Sequence, residues 1–160
     1  MEHVYIHTRL ADAHIQQTLQ MALPHLRIFA WAMLLGEDEP MEFDSGNPTH
    51  VFFEVTESGI PHYTHQLAIY RTPESDWETR ALWLGRLLSA EFSVDVLVPF
   101  THPEDLGNPF YNIVFQNGES YLADDSETEF GEPDARQVRV LGLYKLPEVL
   151  FDTAGKRLRS

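Results

Sequence analysis

Strict alternation marks the strands of this chain. From Thr49 to Glu57, Val51, Phe53 and Val55 fall on one side, and Phe52, Glu54 and Thr56 on the other. Ser58-Gly59-Ile60-Pro61 follows as a turn, and Tyr63 to Arg71 alternates again, with His65, Leu67 and Ile69 on one face. Two period-2 runs joined by a turn predict a β-hairpin. A second hairpin is predicted where Phe110–Gln116 and Glu119–Leu122 flank Asn117-Gly118. Asn-Gly supplies the two positive φ angles that a two-residue hairpin turn needs. His3–Arg9, Val94–Val98 and Gln137–Lys145 read as three further strands. Leu26–Leu34 is a short, nearly all-apolar run and reads as a buried strand.

Two stretches carry helical spacing instead. In the first, Ile15, Leu19, Ala22, Leu23 and Leu26 share a face, with Gln16, Gln17 and Gln20 on the wet side. Asp12 is placed to cap this helix, and Pro24 to end it. In the second, residues 75–92 (SDWETRALWLGRLLSAEF), the stripe is Trp77, Ala81, Leu84, Leu88 and Phe92. Ser75 and Glu78, three apart, have the spacing of a capping box. The predicted order is β-α-β-β-β-α-β-β-β-β. It implies an α+β fold, with two helices packed on a mostly antiparallel sheet. Residues 1–150 read as a single domain, and residues 151–160 as a basic, flexible C-terminal tail carrying Lys156, Arg157 and Arg159.

A chain of 160 residues suffices for one domain with a substantial core. There is no cysteine, which excludes disulfides, thiolate metal sites and thiol nucleophiles. The opening MEHVYIHTRLADAH has no basic n-region and no long apolar run, so no secretory signal is read. The longest apolar stretch, Ile28 to Leu35, is far short of the ~20 residues that span a bilayer. These features predict a cytoplasmic bacterial protein with no membrane association.

Charge changes the picture most. The net charge is −14, from 25 acids and 11 bases. Twelve of the acids fall in two segments that contain no Lys or Arg: Glu37 to Asp44 and Glu119 to Asp134. Such a balance repels a nucleic-acid backbone and suits a basic partner. The candidate partner-binding residues are Glu37, Asp38, Glu39, Glu42 and Asp44 in the first segment. In the second they are Asp124, Asp125, Glu127, Glu129 and Glu132.

The chain carries no phosphate-binding glycine loop, no H-E-x-x-H, no G-x-S-x-G and no EF-hand loop. His62 and His65, three apart on a predicted strand, point to opposite faces, and His3 and His7 share a face without a third ligand in sequence. His102-Pro103-Glu104-Asp105 sets an imidazole beside two carboxylates in a loop, where a turn competes with general acid–base chemistry. Asp124, Asp125 and Glu127 offer oxygens to a hard cation, but without the glycine and ligand spacing of a calcium loop. No catalytic residue, metal or cofactor is predicted.

The capped helix of residues 75–92, the strand VDVLVPF of residues 94–100 and the hairpin NPFYNIVFQNGESYLADD of residues 108–125 together resemble bacterial immunity proteins of polymorphic-toxin and contact-dependent inhibition systems. The resemblance is one of style over Ser75–Asp125 and transfers no site residue. It implies a non-enzyme that neutralises a cognate toxin, and an acidic surface would favour a basic one. Two other readings stay open. One is a small enzyme or ligand-binding domain with a pocket formed by His65, His102 and aromatic residues. The other is an acidic nucleic-acid mimic that inhibits a DNA-binding enzyme.

Overall fold

The computed structural model describes residues 1–31, 42–131 and 136–158. Its elements are β1 (Glu2–Ile6), α1 (Asp12–Ala22), β2 (Arg27–Ala30), β3 (His50–Glu57), β4 (His65–Tyr70), α2 (Trp77–Phe92), β5 (Val96–Pro99), β6 (Tyr111–Gln116), β7 (Glu119–Asp124) and β8 (Arg139–Leu143). This is the α+β order that the pattern predicts. All eight strands join one sheet in the order β2-β3-β4-β1-β5-β6-β7-β8. β2 runs parallel to β3, and every other pair is antiparallel. Of the apolar run Leu26–Leu34, residues 27–30 form β2, and residues 32–34 lie outside the described residues.

The alternation decides which face is buried. Val4 and Ile6 of β1, Leu67 and Ile69 of β4, and Phe53 of β3 point to the helical face. They meet Ile15 and Leu19 of α1 and Ala81, Leu84 and Leu88 of α2 in one apolar cluster. Each fully buried leucine or isoleucine there contributes roughly 1.5–3 kcal/mol relative to exposure. Gly85 sets how near α2 comes to the sheet. A Cβ at this position would lie 2.7 Å from Cγ2 of Val98 and 3.2 Å from a ring carbon of Phe115. At the Asn117-Gly118 turn both φ angles are positive, 51° and 82°, and Gln116 pairs with Glu119 as the motif predicts.

Both helices start differently from the sequence reading. Ala11, not Asp12, occupies the position before α1; Asp12 lies in the first turn and pairs with Arg9. The capping box at Ser75 and Glu78 does not form. Asp76 precedes α2 in a left-handed conformation (φ 60°) with no side-chain cap, and the Ser75 carbonyl accepts from Arg80 instead. The Glu78 carboxylate is drawn away to the Thr101 main-chain N–H (2.6 Å) and hydroxyl. Trp77, expected on the buried stripe, is 48% exposed, while Ala81, Leu84 and Leu88 of the same stripe are buried.

The segment read as a tail packs onto the fold through residue 158. Phe151 bridges to Arg157, and the Phe151 ring stacks on Trp83. Thr153 accepts from the His25 N–H, and the Gly155 carbonyl accepts from Arg80 at 2.8 Å.

Candidate functional site

The sheet face away from the helices is crossed by the chain that follows β7. Asp125 N–H donates to the Phe110 carbonyl, and Gly131 N–H donates to the Gly59 carbonyl at 2.8 Å. The second contact clasps the acidic segment to the β3–β4 turn. Beneath it, Tyr63, Leu97, Val114 and Ala123 form a second, smaller apolar cluster. Burial pushes the Tyr63 hydroxyl far above its usual range, with the charge of Asp95 adding to the effect. A hollow of about 410 Å³ lies between the clasp and the sheet, with Tyr5, Gln66, Asn112, Asp125 and Phe130 in its walls.

The acids of this second segment have unlike roles. Asp124 accepts from the Ser126 N–H (2.7 Å) and hydroxyl (2.5 Å), which tightens the bend after β7 and holds its carboxyl below the usual range. Asp125 accepts from Asn112 at 3.0 Å; burial pushes its carboxyl upward, the neighbouring Asp124 adds to this, and the Asn112 bond opposes it. Glu127 and Glu129 are exposed. Glu127 lies 3.7 Å from Arg136, and no hydrogen bond or ion pair holds Glu129 among the described residues. The clasp also brings in exposed Glu57, at the end of β3, which the charge pattern had not singled out.

Of the first acidic segment, Glu42 and Asp44 lie among the described residues, and both are engaged locally. Glu42 pairs with Arg27. Asp44 accepts from the Gly46 N–H, and its own N–H donates to His50. Arg71 donates to the carbonyls of Ser45, Asn47 and His50 and covers Phe43. β3 and β7 stand five places apart in the sheet, which at about 4.8 Å per strand puts roughly 24 Å between them. Glu42 and Asp44, before β3, are therefore set apart from Asp124 and Asp125 at the end of β7. Glu37, Asp38, Glu39 and Glu132 lie outside the described residues.

The histidines sort in a way that linear spacing did not show. His62 is in the turn before β4, with φ 71°, rather than on the strand. It stacks on His7 at 5.2 Å and meets Asp95 at 2.9 Å. His7, His62 and Asp95 each bring one possible ligand atom within 4.8 Å of the others. The Asp95 N–H, however, donates to Nδ1 of His7. That bond leaves the ring proton of neutral His7 on Nε2, so His7 ties β1 to β5 and has no free lone pair for a metal. Only the folded connection of positions 7, 62 and 95 could reveal this group. His102 accepts from the Glu104 N–H at 3.1 Å, which makes His102–Asp105 a turn. Neither His65 nor His102 contributes to the hollow described above.

No protein-family model matches the chain, and no curated protein or solved structure matches it. Among the described residues, no helix is long and apolar enough to cross a membrane.

Proposed function

We propose that this chain is a non-enzymatic immunity protein of the bacterial cytoplasm, which binds and neutralises a basic toxin domain through an acidic surface. One observation carries the reading. The Gly59–Gly131 clasp holds the acidic segment after β7 across the open sheet face to the β3–β4 turn, with Glu57, Glu127 and Glu129 exposed along this path, in a chain of net charge −14. A surface of this sign attracts a basic partner before contact and speeds its capture. Glu42 and Asp44 contribute less to it, since they are engaged in local structure. Asp124 and Asp125 shape the surface and do less of the contacting.

The test is co-expression with the toxin-like product of the adjacent gene. The wild-type chain should restore growth and co-purify with that product. A Glu57→Gln, Glu127→Gln, Glu129→Gln variant should associate about tenfold more slowly at low salt, with a flatter salt dependence. Unaltered capture by the variant would reduce these side chains to a solubility role. Absence of protection by the wild type would remove the immunity reading altogether.

A further inference from the structure

A second concave site lies on the other side of the molecule, independent of the acidic surface. It is a groove of about 460 Å³ along α2, closed by the β5–β6 loop and by the chain that follows β8. That volume lies within the roughly 300–1,000 Å³ of small-molecule sites. Its walls are chiefly apolar: Leu82 and Trp83 from the helix, Phe100 from the loop, Tyr144 and Leu146 from the chain after β8. The groove also contains Arg86, Lys145 and Arg157, three of only eleven bases in the chain.

Arg86 is the unusual member. Its Nε is buried and has no hydrogen-bond partner. Its Nη2 reaches only the Ser120 hydroxyl, at 3.5 Å, and the guanidinium lies 5.6 Å from the centre of the Phe115 ring. No carboxylate pairs with it among the described residues. A cation held against apolar surface without an anion is costly, and a buried donor without an acceptor calls for an explanation. The nearest acid of the groove, Glu78, is eight residues away on the same helix, about 12 Å at 1.5 Å per residue. Its carboxylate is already taken by Thr101. The groove thus has a cationic end at Arg86 and an apolar length beside it. The overall negative charge does not cancel this, because exposed charges beyond ~8 Å are screened at physiological salt.

We propose that this groove binds an amphiphilic monocarboxylate, with the carboxylate on Arg86 and an aliphatic or aromatic body along Leu82, Trp83 and Leu146. The carboxylate supplies the acceptor that the guanidinium lacks, and planar Arg–carboxylate pairing fixes its orientation. Lys145, exposed at the groove, adds charge without geometry.

The experiment is a titration of the full chain with decanoate and with decanol, read by calorimetry and checked by the change in tryptophan emission. Decanoate should bind, and decanol should bind about tenfold more weakly, because it lacks the charge that a charge-assisted pair uses. Arg86→Gln should bring decanoate down to the level of decanol and leave decanol unchanged. Lys145→Gln, on an exposed side chain that does not threaten folding, should weaken decanoate about two- to threefold, and added salt should remove that difference. Leu82→Trp should block both ligands by filling the groove. Equal affinity for the two probes, or decanoate binding that survives both Arg86→Gln and Leu82→Trp in folded protein, would overturn the proposal.

Discussion

Glu2 and Arg80, 78 residues apart, form an ion pair with no solvent exposure on either side chain: Nε of Arg80 donates to Oε1 of Glu2 at 2.7 Å. The rest of each group is also answered. Thr72 donates its hydroxyl to the Glu2 carboxylate, and the remaining guanidinium nitrogens reach the carbonyls of Pro73, Ser75 and Gly155. One buried cation therefore joins β1, the chain before α2, and the segment after residue 150.

Removing either partner leaves a charge inside the fold. Glu2→Gln or Arg80→Met should each cost about 3–5 kcal/mol in urea unfolding. The double variant Glu2→Leu, Arg80→Met should cost less than either single change, since no bare charge remains, although the three carbonyls still lose their donor. A double variant as unstable as the sum of the singles would show that the pairing itself contributes nothing.

The stripe on α2 makes an internal contrast. Leu84 has no exposure, and Trp77 is about half exposed. Leu84→Ala should destabilise by about 2–5 kcal/mol, the range for a core leucine. Trp77→Ala should cost less than half as much, despite removing more atoms. Chemical denaturation of the two variants in parallel decides; equal losses would mean that the tryptophan is held by packing that its exposure conceals.

Much of the fold can be read from local pattern, for reasons visible at particular residues. Val51, Phe53 and Val55 alternate because one side of β3 meets the helices, and Asn117-Gly118 forces its hairpin through backbone conformation alone. The features that pattern misses are set by partners distant in sequence. Arg80 carries no local mark that would send a guanidinium inward; its acceptors come from residues 2, 73, 75 and 155. The capping box at Ser75 fails for a similar reason, since Thr101 offers Glu78 a better-placed donor. The charge count located the acidic stretches, but it could not show that Arg27 and Arg71 fold back onto the first, or that Glu57 joins the second.

Asp125 makes stability depend on pH. Burial is the main cause that raises its carboxyl pKa in the fold. A carboxyl raised in this way weakens the fold where it is ionised; that penalty is complete above the folded pKa and absent below the unfolded one, near 4. Asp125→Asn keeps an oxygen for Asn112 and removes the charge. It should melt higher than wild type at pH 7, with the gap closing as pH falls toward about 4 and gone below it. A gap of the same size at both ends of the range would rule out desolvation as its source.

The His7 tautomer gives a prediction about metal. Because Nδ1 of His7 is used by the Asp95 N–H, zinc can bind there only by breaking the link between β1 and β5. Thermal unfolding should therefore be the same with chelator and with excess zinc. His7→Ala should destabilise without any metal present, through the lost strand link, by about 1–3 kcal/mol. A rise in melting temperature with zinc that disappears in His62→Ala would show instead that the imidazoles rearrange to coordinate it.

Gly85 places two preferences in conflict. An isolated helix would gain roughly 1 kcal/mol from alanine at this position. Here the added methyl group would collide with Val98 and Phe115. The single hydrogen at Gly85 thus sacrifices helix propensity to let a helix and a sheet approach closely. Selection for stability by single substitutions cannot recover that loss at position 85 alone. It would have to shrink Val98 or Phe115 first, passing through a cavity-bearing and less stable intermediate, so this part of the molecule is held in place by a barrier in sequence space as well as by its packing.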